Sequence, residues 1–430
     1  MSKKSQDSSS IANFFKKWKR LGPGIVTGAA DDDPSGIATY SQTGAQYGLQ
    51  LLWLSLLTLP LMYVVQEMCA RLGMVTGKGI AENIRQYYSR PILFPIIILL
   101  FAANTFNIAA DLAAMAASFR LIVPQINLIT CVIAFTTLST FLQVFTSYKT
   151  YSKYLKYLAL VLISYVITGF KIKPDWAEVL SSTFIPSITF NKNQLILICA
   201  IFGTTISPYL FFWQTAQEIE EKIEKGSKPL KAKKNKSKKE MNTMRFDVLL
   251  GMFISNIIMF FIIVVCGSTL FKHGITDIKS AADAASALKP FAGPSAELIF
   301  TIGIIGTGLL SIPVLAGSSA YAVAEFFYLK EGLYKKCREA KGFYGVISLS
   351  MIIAIGIALS GINPIKALIY SAVANAILAP IVLFFIISMT KNPGIMGKFR
   401  NNVLKSSLGW VLLIIMSVSG FAAIIALFIK

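Results

Sequence analysis

The chain has 430 residues, of which 14% are charged and 55% hydrophobic, with a formal charge of +20 and a mean hydropathy of +0.63. Soluble globular chains run near ~25% charged and ~45–50% apolar. These figures exclude a disordered chain, a collagen-like fibre and a disulfide scaffold, set aside a water-soluble two-domain enzyme, and leave a polytopic membrane protein.

A bilayer-crossing helix needs about 20 mostly apolar residues. In chain order such stretches lie at 22–46, 49–70, 92–119, 125–146, 154–170, 193–217, 247–271, 296–327, 343–360, 364–388 and 409–429, which predicts eleven spans. Alternate connections then fall on opposite sides. Thirty-two of the 41 basic residues belong to the set that contains the N-terminus, and nine to the other. By the positive-inside rule the N-terminus is cytoplasmic and the C-terminus extracytoplasmic, in a multi-pass protein of the cell membrane. The basic excess is therefore topology, and a nucleic-acid partner is not expected. Residues 1–21 read as a basic cytosolic tail without the apolar core of a signal peptide. Residues 22–170 form a first group of five spans, 171–192 an extracytoplasmic loop, and 193–388 a second group with a basic cytosolic loop at 221–245. A further cytosolic loop and the last span occupy 389–430. Within the basic loop, Lys225–Glu240 (KGSKPLKAKKNKSKKE) reads as a disordered segment or an anionic-lipid contact. The oligomeric state stays open, a monomer included.

The five cysteines are scattered without C-x-x-C spacing, four of them in apolar runs, and read as buried small side chains. His273 is the only histidine, which excludes a multi-histidine metal site.

Two spans break the apolar rule. The first contains Asp31-Asp32-Asp33-Pro34-Ser35-Gly36. A single carboxylate at the centre of a membrane helix costs at least ~2.5–3.5 kcal/mol, and Pro34 cannot donate the helical hydrogen bond. The helix is expected to unwind there, unless this is simply a helix start at the interface. The sixth span contains Gly203-Thr204-Thr205-Ile206-Ser207-Pro208-Tyr209, again with a glycine and a proline in mid-segment. Each span opens one group of five, and paired interruptions of this kind mark inverted-repeat transporters with a midplane site. A proline kink without a ligand role is the alternative. Unwound carbonyls, Asp33, Thr204 and Ser207 would make an all-oxygen, cation-seeking pocket.

The residues quoted, together with Gln66–Arg85 (QEMCARLGMVTGKGIAENIR), resemble the Nramp family of divalent-metal transporters over nearly the whole chain. The resemblance implies a leucine-transporter-like fold: two inverted five-helix repeats with broken first and sixth helices, plus an extra helix. It implies no enzymatic activity and no cofactor, since the divalent ion is the cargo. In the family the first break reads D-P-G-N and the sixth span A-x-x-M-P-H. Here Asp33-Pro34 keeps D-P, but Ser35-Gly36 replaces G-N, and Thr204-x-x-Ser207-Pro208-Tyr209 stands in place of A-x-x-M-P-H. The family's asparagine and methionine ligands are thus missing. Ser371-Ala372-Val373 replaces S-Q-V on the tenth span, where Asn375 follows on the same face. The carried-over metal site is Asp33, Thr204 and Ser207, with Asp32, Ser35, Gly36 and Asn375 around it.

These departures are similar to the Nramp-related magnesium transporter branch. The chemistry agrees: Mg²⁺ takes oxygen ligands and keeps several waters, whereas a thioether selects transition metals. Loss of the larger ligands is expected to enlarge the cavity for a hydrated ion, with Mn²⁺ as a second substrate. Proton-coupled family members carry a D-x-x-E pair on the third span, histidine on the sixth and arginine on the ninth. Here the third span has Asp111 but Ala114, the sixth lacks histidine and the ninth lacks arginine, so uncoupled transport is expected. Asn104, Asn107 and Asp111 share one face as vestibule or gate candidates, with Asp31. Glu67 and Arg71, four residues apart, read as an ion pair or gate, and Glu325 as a helix-end contact. A proton-coupled Mn²⁺/Fe²⁺ carrier and an amino-acid or amine transporter on the same fold remain the alternatives. Against the latter, three carboxylates at the break would repel a substrate carboxylate.

Overall fold

In a computed structural model, residues 22–146, 160–232 and 237–428 are described, and they contain helices and no strand. The first span is split into α1 (Pro23–Asp31) and α2 (Pro34–Tyr47). Then follow α3 (Trp53–Thr76), α4 (Ile80–Tyr87), α5 (Arg90–Ile122), α6 (Leu128–Phe145), α7 (Ile163–Lys171) and α8 (Trp176–Phe184). The sixth span is split into α9 (Lys192–Thr205) and α10 (Pro208–Glu224). The long helices that follow are α11 (Ser237–Thr269), α12 (Ala296–Phe327), α13 (Lys341–Ala358), α14 (Pro364–Lys391) and α15 (Val403–Phe428), with short helical turns between them.

Nine helical segments among the described residues are long and apolar enough to cross a membrane, α9–α10 counting as one. The broken α1–α2 pair and the short apolar stretch Leu160–Lys171 complete the eleven read from the sequence. Contacts follow the repeat: exchanging the halves maps the first span onto the sixth and the second onto the seventh. Accordingly α1 and α2 pack on α11, and α10 packs on α3, while α5 and α12, counterparts of each other, pack together.

The helices run longer than the hydropathy reading at their basic ends, because charged residues there find partners. Helix α3 reaches Thr76 and carries Arg71 inside it, buried, rather than in a loop. The basic loop at 221–245 is shortened from both sides, by α10 to Glu224 and by α11 from Ser237. Its Lys222 pairs with Glu240 at 2.9 Å, which ties the last residue of the segment read as disordered to α10. The expected outer loop 171–192 holds α8, which Asp175 caps at the amides of Ala177 (2.9 Å) and Glu178 (3.3 Å). The last helix starts at Val403 rather than 409. The basic tail 1–21 and the beginning of the fifth span lie outside the described residues.

At the basic end one carboxylate gathers three cations. Glu67, fully buried, contacts Arg71 at 3.1 Å, Arg245 at 2.9 Å and Lys405 at 2.6 Å. Arg71 also donates to the Phe399 carbonyl and the Asn401 side chain. The pair read from sequence is thus the core of a clasp joining α3, α11 and α15. Glu325 accepts from the Glu82 amide at 2.8 Å, at the first turn of α4, the helix-end contact expected of it.

Candidate functional site

Both breaks arise from the same backbone sequence of events. Proline at the first position of a helix needs no donor, and it pushes the preceding residue out of the α region. Helix α1 stops at Asp31, Asp32 leaves helical geometry (φ −84°, ψ 49°), Asp33 is extended (φ −69°, ψ 172°), and Pro34 restarts the chain. Helix α9 stops at Thr205, followed by Ile206 (φ −128°, ψ 62°), extended Ser207 (φ −88°, ψ 137°) and Pro208. Each break leaves orphan carbonyls at one half-helix end and orphan amides at the other.

Asp33 is completely buried and held from three directions. Its Oδ1 accepts from the Gly36 amide at 2.8 Å and the Ser35 hydroxyl at 2.6 Å. Its Oδ2 accepts from Asn107 Nδ2 on α5 at 3.1 Å. Asn107 is itself oriented by Ser371 of α14, whose hydroxyl donates to Asn107 Oδ1 at 2.6 Å. Across the gap to the second break, Ser35 Oγ lies 3.4 Å from Thr204 Oγ1. Groups from α2 and α5 bond the carboxylate directly, α9 and α14 stand behind them through Thr204 and Ser371, and every group bonded to it is a hydroxyl or an amide.

The three adjacent carboxylates diverge. Ser255 of α11 donates to Asp31 Oδ2 at 2.5 Å and lies 3.1 Å from Asp32 Oδ1. They are tied to α11, away from Asp33's partners, and among the described residues no group of three acidic, histidine or cysteine side chains converges on one point. Ser207 turns backward, with its hydroxyl against the Gly203 (2.5 Å) and Thr204 (2.9 Å) carbonyls. Tyr209 Oη reaches the Ala30 carbonyl of α1 at 3.4 Å, linking the two breaks. Asn375 is fully buried, and neither end of its amide has a partner.

The shared face of α5 divides among different neighbours. Asn107 turns to Asp33. Asp111 accepts from Ser311 of α12 at 2.8 Å, leaving its other oxygen unpartnered. Asn104 donates to Ser318 and Ser319 of α12, each at 2.9 Å, and so serves helix packing. At Gly36 the missing side chain leaves little open space. A Cβ there would stand 3.1 Å from Thr204 Oγ1 and 3.3 Å from the Asp31 carbonyl, because threonine fills the room that the missing larger side chain would take. Sequence reasoning missed Ser255 and the direct Asn107–Asp33 bond. The Ser255-Asn256 interruption in an otherwise apolar α11 was the available signal.

The profile of the natural resistance-associated macrophage protein-like family matches residues 24–426. A divalent metal cation transporter MntH of Klebsiella pneumoniae is 26% identical over 424 residues, covering 97% of this chain and 96% of that one. Its namesake from Bacillus subtilis is 25% identical over 403 residues, covering 92% and 89%. Among solved structures, the manganese transporter of Eremococcus coleocola superposes with a TM-score of 0.75 at 20% identity, covering 94% of this chain and 86% of that one. With a family match from end to end of the helical bundle and two proline breaks facing each other across a buried carboxylate, the chain belongs to the Nramp family of divalent-metal transporters.

Proposed function

We propose that the protein imports Mg²⁺, with Mn²⁺ as a lesser substrate, by alternating access and without proton coupling. The observation that carries the reading is the donor set at Asp33: a buried carboxylate with hydroxyl and amide neighbours and no thioether or imidazole bonded to it. A hard dication that retains waters suits one carboxylate and neutral oxygens, whereas Mn²⁺ and Fe²⁺ gain from softer ligands. Asp33 is the principal charge, and Thr204, Ser35 and the carbonyls at the ends of α1 and α9 supply neutral oxygens. Asn107 orients Asp33, and Ser371 orients Asn107. Asn375 contributes its carbonyl once the ion is present. Ser207, whose hydroxyl is engaged with the Gly203 and Thr204 carbonyls, and Asp32, tied to Ser255, stay outside the inner shell.

With the basic segments in the cytosol, the inside-negative potential alone drives uptake. Each charge gains about 2.3 kcal/mol per 100 mV, so a dication gains roughly 4.6 kcal/mol, more than a thousandfold accumulation. The parts of a proton path are absent: Ala114 in place of a second acid, no histidine in α9–α10 and no arginine in α13. The relatives' names favour Mn²⁺ as the competing cargo.

Uptake of Mg²⁺, Mn²⁺ and Ca²⁺ by proteoliposomes, compared side by side under a valinomycin-set potential, tests the cargo. An internal pH dye tests the coupling. Mg²⁺ uptake with no metal-driven acidification is the expected result. Metal-dependent acidification at clamped potential would assign proton transfer to Asp111 or to the Asp31–Asp32 pair and overturn the uncoupled reading.

A further inference from the structure

We propose that Glu218 is the transit carboxylate through which the dication leaves the Asp33 site toward the basic end of the molecule. This rests on the import reading above. One helical turn before Asp31 on α1, the Thr27 hydroxyl lies 2.5 Å from Gln214 Oε1 on α10, and Gln214 Nε2 donates to Glu218 Oε1 at 3.0 Å. Thr27 and Gln214 are fully buried and Glu218 is 2% exposed, so the three make a polar ladder between two half-helices. Below it opens a cavity of about 340 Å³ between α1, α10 and α11. At roughly 30 Å³ per water, that is room for an ion with its first hydration shell.

Four carboxylates line this cavity, and three have structural employment. Glu221 pairs with Lys225 at 2.5 Å and Glu240 with Lys222 at 2.9 Å. Asp247 accepts from the Gly22 (2.9 Å) and Gly24 (2.7 Å) amides, capping α1. Glu218 forms no ion pair among the described residues; its one hydrogen bond is from the neutral Gln214 amide. A buried carboxylate without a cation is unfavourable unless something neutralises it. A passing dication does so, and Mg²⁺ needs only one or two carboxylates beside its waters. Thr27, Gln214 and Glu218 thus provide spaced oxygens from the buried site to the open cavity.

The test is a split between binding and turnover in Glu218→Gln, which keeps the acceptor for Gln214 and removes the charge. Calorimetry with Mg²⁺ is expected to give the wild-type Kd, because the Asp33 site is untouched. The maximal uptake rate in proteoliposomes is expected to fall about tenfold at unchanged KM, with Glu218→Asp recovering most of it. An unchanged rate in Glu218→Gln, or a rate and affinity lost together, overturns the proposal. If Glu218→Gln does not fold, Gln214→Leu breaks the same ladder, and a normal rate there overturns it equally. A wild-type protein that moves no divalent cation overturns the import reading itself. A transporting wild type with an unaffected Glu218→Gln overturns only this inference.

Discussion

The first and second breaks share a backbone path and differ in what their last non-helical residue does. Asp33 faces forward: it caps α2 at the Gly36 amide and keeps a second oxygen for Asn107. Ser207 faces back: it satisfies the carbonyls of Gly203 and Thr204 and gives no side-chain cap to α10. One break therefore presents a charge to the neighbouring helices, and the other closes its own helix end. In an inverted repeat the two halves have related backbones, yet a single cation needs one principal charge. The asymmetry lies in the side chains, where one substitution is enough to create it.

The comparison breaks most visibly if Asp33 is dispensable. Asp33→Ala is expected to abolish Mg²⁺ uptake, a loss of a hundredfold or more, and Asp33→Asn to be nearly as damaging. Near-normal uptake by well-expressed Asp33→Ala would remove the residue from the site. Next in size is Asn107→Ala, which frees the carboxylate from its orienting partner. Loss of a residue that orients a metal ligand typically costs ~10–100-fold in metal affinity, and calorimetry with Mg²⁺ reads it directly. A Kd within twofold of wild type would mean that the Asn107 bond is packing alone.

A third experiment converts the second break into an ion-facing one. Ser207→Met combined with Gly36→Asn is expected to raise the Mn²⁺/Mg²⁺ affinity ratio about tenfold through a soft ligand. Thr204 crowds position 36, so the double variant should bind weakly until Thr204→Ala is added, and the triple variant should carry the full shift. An unchanged ratio in the triple variant would show that positions 36 and 207 do not line the site. The smallest effect is expected from Ser207→Ala. Its bonds go to the backbone, so a loss of about 0.5–1.5 kcal/mol in stability and uptake within twofold are predicted. Thermal melting and flux assays check the two halves of that statement, and a tenfold loss of uptake with normal melting would make Ser207 an ion ligand.

The architecture was legible because membrane constraints are strong and local. Long apolar runs give the spans, and Asp33-Pro34 and Ser207-Pro208 announce the breaks within two residues each. Helix ends were less legible: Arg71, Lys222 and Arg245 look like loop residues by charge, and only their partners, Glu67 and Glu240, keep them on helices. The site was read in part. Asp33 stands out by its position beside the proline, but nothing local in α5 tells which of Asn104, Asn107 and Asp111 meets the break. That depends on where α5 crosses α2, 74 residues earlier in the chain. The tie from Ser255 to the aspartates spans 224 residues and is equally invisible to spacing.

The seam between α1 and α11 has a mechanical consequence. Gly24 and Gly28 of α1 face Val248 and Gly251 of α11 so closely that an added Cβ on either would overlap the opposing backbone. Helices that touch through bare backbone gain dispersion contact without interlocking side chains. Such a surface has no teeth: α1 can slide or swivel along α11 with no rotamer change, like a shaft in a plain bearing. Four polar ties fix its position: the Asp247 cap at its start, the Thr27–Gln214 bond, the Tyr209 contact to the Ala30 carbonyl and the Ser255 tie at its end. Movement of α1 along this seam would require breaking those few hydrogen bonds rather than repacking a core.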